Sequence, residues 1–252
     1  MTKNNLAIIV LNWNSADDAL ECISSLARQT LKPAIIIVDN HSHDDSVTRF
    51  EQYQTEHPSV DCTIITNDKN LGFAGGINTG LVHAREQGFK YIGVLNPDAI
   101  ADKKWCQALV DELSSQPKCG IATGILQRRD GKTLDTTGDF YTTWGLPGPR
   151  NRDEPVENAP SKPGEVFGAT GGGAIYRAAI FDDIDMFDED FFMYYEDVDL
   201  SFRAQLAGWK VRFTPEAIAY HKVGASSKKV PGLAVYNTCL LYTSPSPRDR
   251  QK

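Results

Sequence analysis

The amino-acid sequence predicts an α/β fold, a doubly wound and mostly parallel sheet with helices on both faces. Continuous apolar runs at residues 6–11 and 34–38, with shorter strand-like runs at 62–66 and 91–95, suit parallel strands buried on both faces. Between them lie segments whose apolar residues recur at helical spacing. Such alternation implies right-handed crossovers and a ligand site outside the carboxyl ends of the strands. A polar residue, Asn12, Asp39, Asn67 or Asn96, follows each of these four strands, so four polar side chains are expected on one sheet edge.

The elements follow in order. After the first strand, Ser15 can cap a helix over residues 17–29 with Leu20, Ile23 and Leu26 on one face. The second strand leads to a helix over 46–55, and the third to a helix over 77–87 that Gly88 stops. The fourth strand precedes a helix over 103–116 with Trp105, Leu109 and Leu113 facing inward, then a strand near 120–126. From about 144 to 163 the chain is rich in Pro, Gly, Asn and charge, without a usable period. It reads as a long loop, either a lid over a bound ligand or a disordered connector. Residues 166–177 return to a Gly-rich strand pattern, and 210–220 suggest one or two more strands ending at His221.

Composition narrows the function. A hydrophobic share of 41% and a charged share of 23% mark a soluble, globular chain. A net charge of −7 argues against nucleic acid as the partner, because neutralising phosphates needs a basic face. A nucleotide remains open to an acidic protein when a metal ion supplies local positive charge. The longest apolar runs fall far short of the ~20 residues of a membrane helix, and no signal peptide is visible. Cys22, Cys62, Cys106, Cys119 and Cys239 are scattered without a CxxC pair, which favours free thiols in a reducing cytoplasm.

The richest segment is Phe191-Phe-Met-Tyr-Tyr-Glu-Asp-Val-Asp-Leu-Ser-Phe-Arg203. It sets Glu196, Asp197 and Asp199 where an aromatic run gives way to a helical pattern carried by Leu200, Ala204 and Ala207, with Gly208 as the stop. Acids in a first helical turn are favoured by its exposed N–H groups, which explains part of the pattern. Apolar walls beside a carboxylate raise its basicity, which suits a general base. The glycine-rich segment from Asn70 to Gly80 suits close backbone approach to phosphate. Gly171-Gly172-Gly173 suits close passage of a sugar or acceptor, or a plain tight turn. Gly131-Lys132-Thr133 mimics the end of a Walker A loop, but Leu126 stands where that motif needs glycine.

Seven segments in order resemble the family 2 glycosyltransferases of GT-A fold, in their bacterial rhamnosyltransferase-like branch. They are Ile8-Ile-Val-Leu-Asn-Trp-Asn-Ser15, Val38-Asp-Asn-His-Ser-His-Asp-Asp-Ser46, Asn70-Leu-Gly-Phe-Ala-Gly-Gly-Ile-Asn-Thr-Gly80 and Leu95-Asn-Pro-Asp-Ala99. Thr170-Gly-Gly-Gly-Ala174, Tyr195-Glu-Asp-Val-Asp-Leu200 and His221-Lys-Val-Gly-Ala-Ser226 complete the set.

The resemblance implies a Rossmann-like GT-A domain and an inverting transfer from a nucleotide-diphospho sugar, dTDP-rhamnose first, to a hydroxyl of a glycan or lipid-linked glycan. Asp197 would be the base and Glu196, with Gly172, would hold the acceptor. Asn12, Asp39, Asn70, Gly72 and Asn96 would face the nucleotide, with Asp39 accepting the imide N–H of uracil or thymine. Asp98 and His221 would ligate a divalent metal, Mg²⁺ or Mn²⁺, although Asn96 stands where many members carry the first acid of the metal motif. Asp199 and Arg203 are expected to brace the helix start, and His41 and His43 to be exposed. The expected setting is cell-surface polysaccharide synthesis in the cytoplasm, with peripheral membrane association open. The alternatives are a UDP-sugar transferase of the same fold and a catalytically silent nucleotide-sugar-binding domain. The domain is expected over residues 1–238, with 239–252 as an unstructured, non-native tail.

Overall fold

The computed structural model describes residues 5–222. The predicted tail and the distal part of the His221 motif lie outside the described residues.

The first half alternates as expected: β1 (Leu6–Asn12), α1 (Ala16–Ala27), β2 (Ala34–Asp39), α2 (Ser46–Glu56), β3 (Cys62–Thr66), α3 (Gly72–Glu86), β4 (Tyr91–Leu95), β5 (Ala99–Ala101), α4 (Trp105–Ser115) and β6 (Cys119–Arg128). The second half holds β7 (Leu134–Thr136), β8 (Asp139–Tyr141), β9 (Pro147–Pro149), β10 (Gly164–Val166), β11 (Gly173–Arg177), α5 (Ile180–Ile184), α6 (Glu196–Leu206) and β12 (Lys210–His221). The main sheet runs β10-β12-β6-β11-β4-β1-β2-β3, with β5 on β12 and β7 on β6. β1 to β4 are mutually parallel where they pair, whereas β11 enters antiparallel between β4 and β6.

Alternation along the buried strands feeds two cores. Ile8, Val10, Ile35 and Ile37 pack with Ile23 and Leu26 of α1, Phe50 of α2, and Trp105, Leu109 and Leu113 of α4. Ala7, Ile9, Ile36 and Val38 face the other side, against Ile77 and Leu81 of α3, Ile180 of α5 and Leu200 of α6. Both faces are therefore covered, as continuous apolar strands require. Ser15 takes the N-cap position of α1, but no side-chain cap bond closes that helix start.

Two expectations need correction. α3 begins at Gly72, not near residue 77, so the glycine-rich segment is mostly the first turns of a helix. A Cβ at Gly76 would run into Leu11, and one at Gly80 into Ile9, so these glycines let α3 lie close on β1. The segment from 144 to 163 is not a featureless connector. It contributes β9, which pairs with β8, and a 3₁₀ turn over Val156–Asn158. Its return stretch is pinned to β7, where Leu134 N–H donates to the Glu154 carbonyl at 2.8 Å and Asp153 N–H to the Leu134 carbonyl at 3.0 Å.

Candidate active site

The strand ends converge as the sequence implied. Register pairs Asn12 with Asp39 across β1 and β2, and the Asn12 amide donates to Asp39 Oδ2 at 2.9 Å. Asp39 Oδ1 accepts the Ser42 N–H at 2.9 Å, so the turn reading of this acid also holds. An ionised carboxylate has about four lone-pair sites, which leaves capacity for a further donor. Asn12 Oδ1 is buried without a hydrogen-bond partner, so a second acceptor stands beside Asp39. His41 and His43 are exposed.

Asn70 and Gly72 belong to a hydrogen-bonded hub at the start of α3. Asn70 Oδ1 accepts from Asn40 Nδ2 at 3.0 Å and from Gly72 N–H at 2.9 Å. Asn40 Oδ1 in turn accepts from Asn67 Nδ2 at 3.1 Å and Leu71 N–H at 3.0 Å.

Gly72, with φ of +72°, faces Phe192, whose carbonyl accepts Phe73 N–H at 2.6 Å. Phe192, Tyr194 and Tyr195 all have positive φ, at 56°, 73° and 68°. Bulky residues take this conformation at a cost of order 1–3 kcal/mol each, so the surroundings must hold the aromatic turn in place. Gly72→Ala would drive a Cβ into the Phe192 carbonyl and ring. A loss of about 1–3 kcal/mol in stability is expected, together with reduced turnover as the turn before Glu196 shifts. Unchanged Tm and turnover would show that this support is dispensable.

The turn delivers two acids at the start of α6. Asp197 Oδ2 accepts Gly171 N–H at 2.8 Å and Oδ1 accepts Val198 N–H at 2.8 Å. Glu196 is 5% exposed, and its Oε2 has no hydrogen-bond partner. Burial, then the charge of Asp197, raises the Glu196 carboxyl well above the ordinary range. Burial also raises Asp197, but the amides of Gly171, Val198 and Asp197 itself oppose that rise. Backbone amides of Glu196 and Tyr194 oppose the rise at Glu196 as well, but its Oε2 stays without a partner whereas both oxygens of Asp197 accept an N–H, which favours the proton on Glu196. Arg203 reaches Asp199 at 2.7 Å and also donates to the carbonyls of Ile184 and Met186. This pair braces α6 against the α5 segment, as expected.

The second cluster forms where β5 pairs with the end of β12, setting His221 opposite Ala99 and so beside Asp98. His221 Nε2 lies 3.0 Å from Asp98 Oδ1 and Nδ1 lies 2.8 Å from Asp135 Oδ2. Asn96 Nδ2 is 3.2 Å from the same Nε2. Burial alone would lower the His221 pKa, but Asp135 and Asp98 outweigh it and raise it to about 9.

Two ligands at right angles on bonds of about 2.1 Å stand about 3.0 Å apart, so the Asp98–His221 spacing fits adjacent corners of one hard divalent ion. Among the described residues no group of three His, Cys, Asp or Glu side chains forms a full cage. A carboxylate with an imidazole suits Mn²⁺ or Mg²⁺ when phosphates and water complete the shell.

The two clusters are joined by consecutive residues. Gly171 N–H holds Asp197, and the Gly172 carbonyl accepts Asn96 N–H at 3.1 Å. Gly172 also approaches Asn96 Nδ2 closely enough that a Cβ there would sit 3.4 Å away. Sequence reading missed Asp135 and also Asp139, a buried acid on β8 raised to about 8 by burial and by the charge of Asp197. Only the folded chain brings either acid to the site.

The sequence model of glycosyl transferase family 2 matches residues 7–185, well over half of the chain. The chain belongs to this family. It is similar to the N-acetylglucosaminyl-diphospho-decaprenol L-rhamnosyltransferase of Mycobacterium tuberculosis, with 24% identity over 90% of this chain and 78% of that protein. A low-salt glycan biosynthesis hexosyltransferase of Haloferax volcanii is 25% identical over 80% of this chain and 62% of its own length. The structure of a mannosyltransferase from Pyrobaculum calidifontis, in complex with GDP-Man and Mn²⁺, superposes with a TM-score of 0.67 at 16% identity. That match covers 88% of this chain and 58% of the mannosyltransferase. The fold of this glycosyltransferase is thus GT-A. No helix among its described residues is long and apolar enough to cross a membrane.

Proposed function

We propose that this glycosyltransferase moves a sugar, with inversion, from a nucleotide-diphospho sugar to a hydroxyl of a glycan or lipid-linked glycan. The observation that carries this reading is the Gly171-Gly172 link, which holds the half-buried Asp197 carboxylate and the Asn96-Asp98-His221 cluster in one frame. Asp197 takes the acceptor hydroxyl proton as that oxygen bonds to the anomeric carbon. The bond from this carbon to the diphosphate breaks on the opposite face, and its electron pair leaves with the nucleoside diphosphate. Glu196, holding its proton, can donate a hydrogen bond that orients the acceptor. Asp98 and His221 would hold the divalent cation, whose charge would stabilise the diphosphate leaving group. General base catalysis supplies about 10²–10⁴-fold, so positioning and charge must supply the rest.

Asn12 Oδ1 and Asp39 offer acceptors for the imide of uracil or thymine, and the rhamnosyltransferase relative makes dTDP-rhamnose the first donor to try. A UDP-glucosyl, UDP-galactosyl or UDP-N-acetylglucosaminyl donor is the second reading. Calorimetric titration with dTDP-rhamnose, three such UDP-sugars and GDP-mannose in Mn²⁺, followed by product analysis, separates them. Binding of dTDP- or UDP-sugars and turnover of one of them is expected. Tighter binding of GDP than of dTDP or UDP would refute the base site. Binding without turnover of any donor on glycan acceptors would leave a silent sugar-nucleotide domain.

A further inference from the structure

We propose that Asp135 is a positioning residue for the cation site, holding the His221 ring so that Nε2 faces Asp98, and that Arg152 fixes Asp135 in turn. The inference rests on the reading of Asp98 and His221 as cation ligands. An imidazole that ligates through Nε2 must carry its proton on Nδ1, and the acceptor of that proton sets both tautomer and ring angle. Asp135 Oδ2 is that acceptor at 2.8 Å, on a residue only 4% exposed. Its other oxygen accepts from Arg152 at 2.7 Å.

The chain's architecture explains why these groups meet. β6 pairs with β12 on one edge and, at Leu126 and Gln127, with β7 on the other. His221 and Asp135 therefore approach each other from strands on either side of β6. Arg152 is delivered by the return stretch of the long segment, which is fixed on both sides of it. Arg150 N–H donates to the Gly138 carbonyl at 2.8 Å and Asp153 N–H to the Leu134 carbonyl at 3.0 Å. Asp98, His221, Asp135 and Arg152 thus form one connected line of side chains from the site to the surface. Asp135 does not compete for the cation, since it engages the nitrogen on the far side of the ring.

The test is Mn²⁺ binding by the full chain, read as free Mn²⁺ in electron paramagnetic resonance, with Mn²⁺ alone and with UDP added. Wild type, Asp98→Ala, Asp135→Asn and Arg152→Gln are compared, with Tm recorded for each. Asp135→Asn should weaken Mn²⁺ binding by about 10- to 100-fold, and Arg152→Gln by less. A merely structural role would lower Tm and leave the Mn²⁺ affinity of the folded protein unchanged. Wild-type affinity in folded Asp135→Asn, with binding lost in Asp98→Ala, overturns this proposal and leaves the cation site standing. Wild-type affinity in Asp98→Ala, or no binding by wild type, overturns both. If Asp135→Asn does not fold, the partly exposed Arg152→Gln decides: unchanged affinity there refutes this line of support.

Discussion

Asp197→Asn is expected to lose about 10²–10⁴-fold in kcat while the protein stays folded, the range typical of a removed general base. The amide keeps the shape but cannot take a proton, and its single oxygen can accept only one of the Gly171 and Val198 N–H groups, which reach different oxygens of the carboxylate. The lost hydrogen bond should cost about 1–3 kcal/mol, offset in part by relief of charge repulsion. Glu196 and Asp139 are buried and Asp197 is half-buried, and loss of water raises each of the three. A carboxyl raised in the folded state binds its proton more tightly there than when unfolded, so stability falls as pH climbs. For Asp139 that window runs from the ordinary 3.8 to about 8. Removing the Asp197 charge relieves part of this repulsion, so the Tm of Asp197→Asn relative to wild type should rise across that window. Wild-type kcat in this variant would remove Asp197 from the base role, and a relative Tm that falls with rising pH would refute the account of charge.

The legible and illegible parts of this chain divide along sequence distance. β1 to β4 and α1 to α4 could be read because each carries its own period or continuous apolar run. So could the placement of Asn12, Asp39, Asn67 and Asn96, since one strand end follows another in a parallel sheet. β5 and β7 to β10 have three residues each, too few for a two-residue period to declare itself. Nothing local in β11 says that it will run antiparallel between β4 and β6, yet that insertion is what brings Gly171 and Gly172 between the acids. The glycines of α3 hid the helix start for a related reason: the neighbours they pack on, Leu11 and Ile9, lie about 65–70 residues earlier in the chain.

The site shows the same limit. Glu196 and Asp197 announced themselves through an aromatic run and a helix start, both local signals. Asp135 meets His221 across 86 residues, and its surroundings in sequence, Leu134 and Thr136, are those of any short strand. Asp98 and His221 were paired by resemblance alone, and the physical cause of their meeting is the β5–β12 register.

Asp98→Ala should lower turnover by about 10²–10³-fold, the several kcal/mol that a Lewis acid contributes to a charged leaving group. It should also abolish the response to added metal. Wild type is expected to lose activity in excess chelator and to regain it with Mn²⁺, whereas Asp98→Ala should show the same residual rate in both. The variant is a clean test because the backbone at this position is held independently of the carboxylate. The Asp98 carbonyl accepts Lys222 N–H at 3.1 Å and Arg129 at 3.4 Å, and neither bond needs the side chain. His221→Ala is a poorer probe, since it removes the imidazole from between two buried carboxylates and should lower Tm sharply. Comparing the two variants separates ligation from support: loss of the metal response with wild-type Tm marks Asp98 as a ligand. Full wild-type activity in excess chelator would take the cation out of the reaction, and the Asp98–His221 contact would then be an internal ion pair.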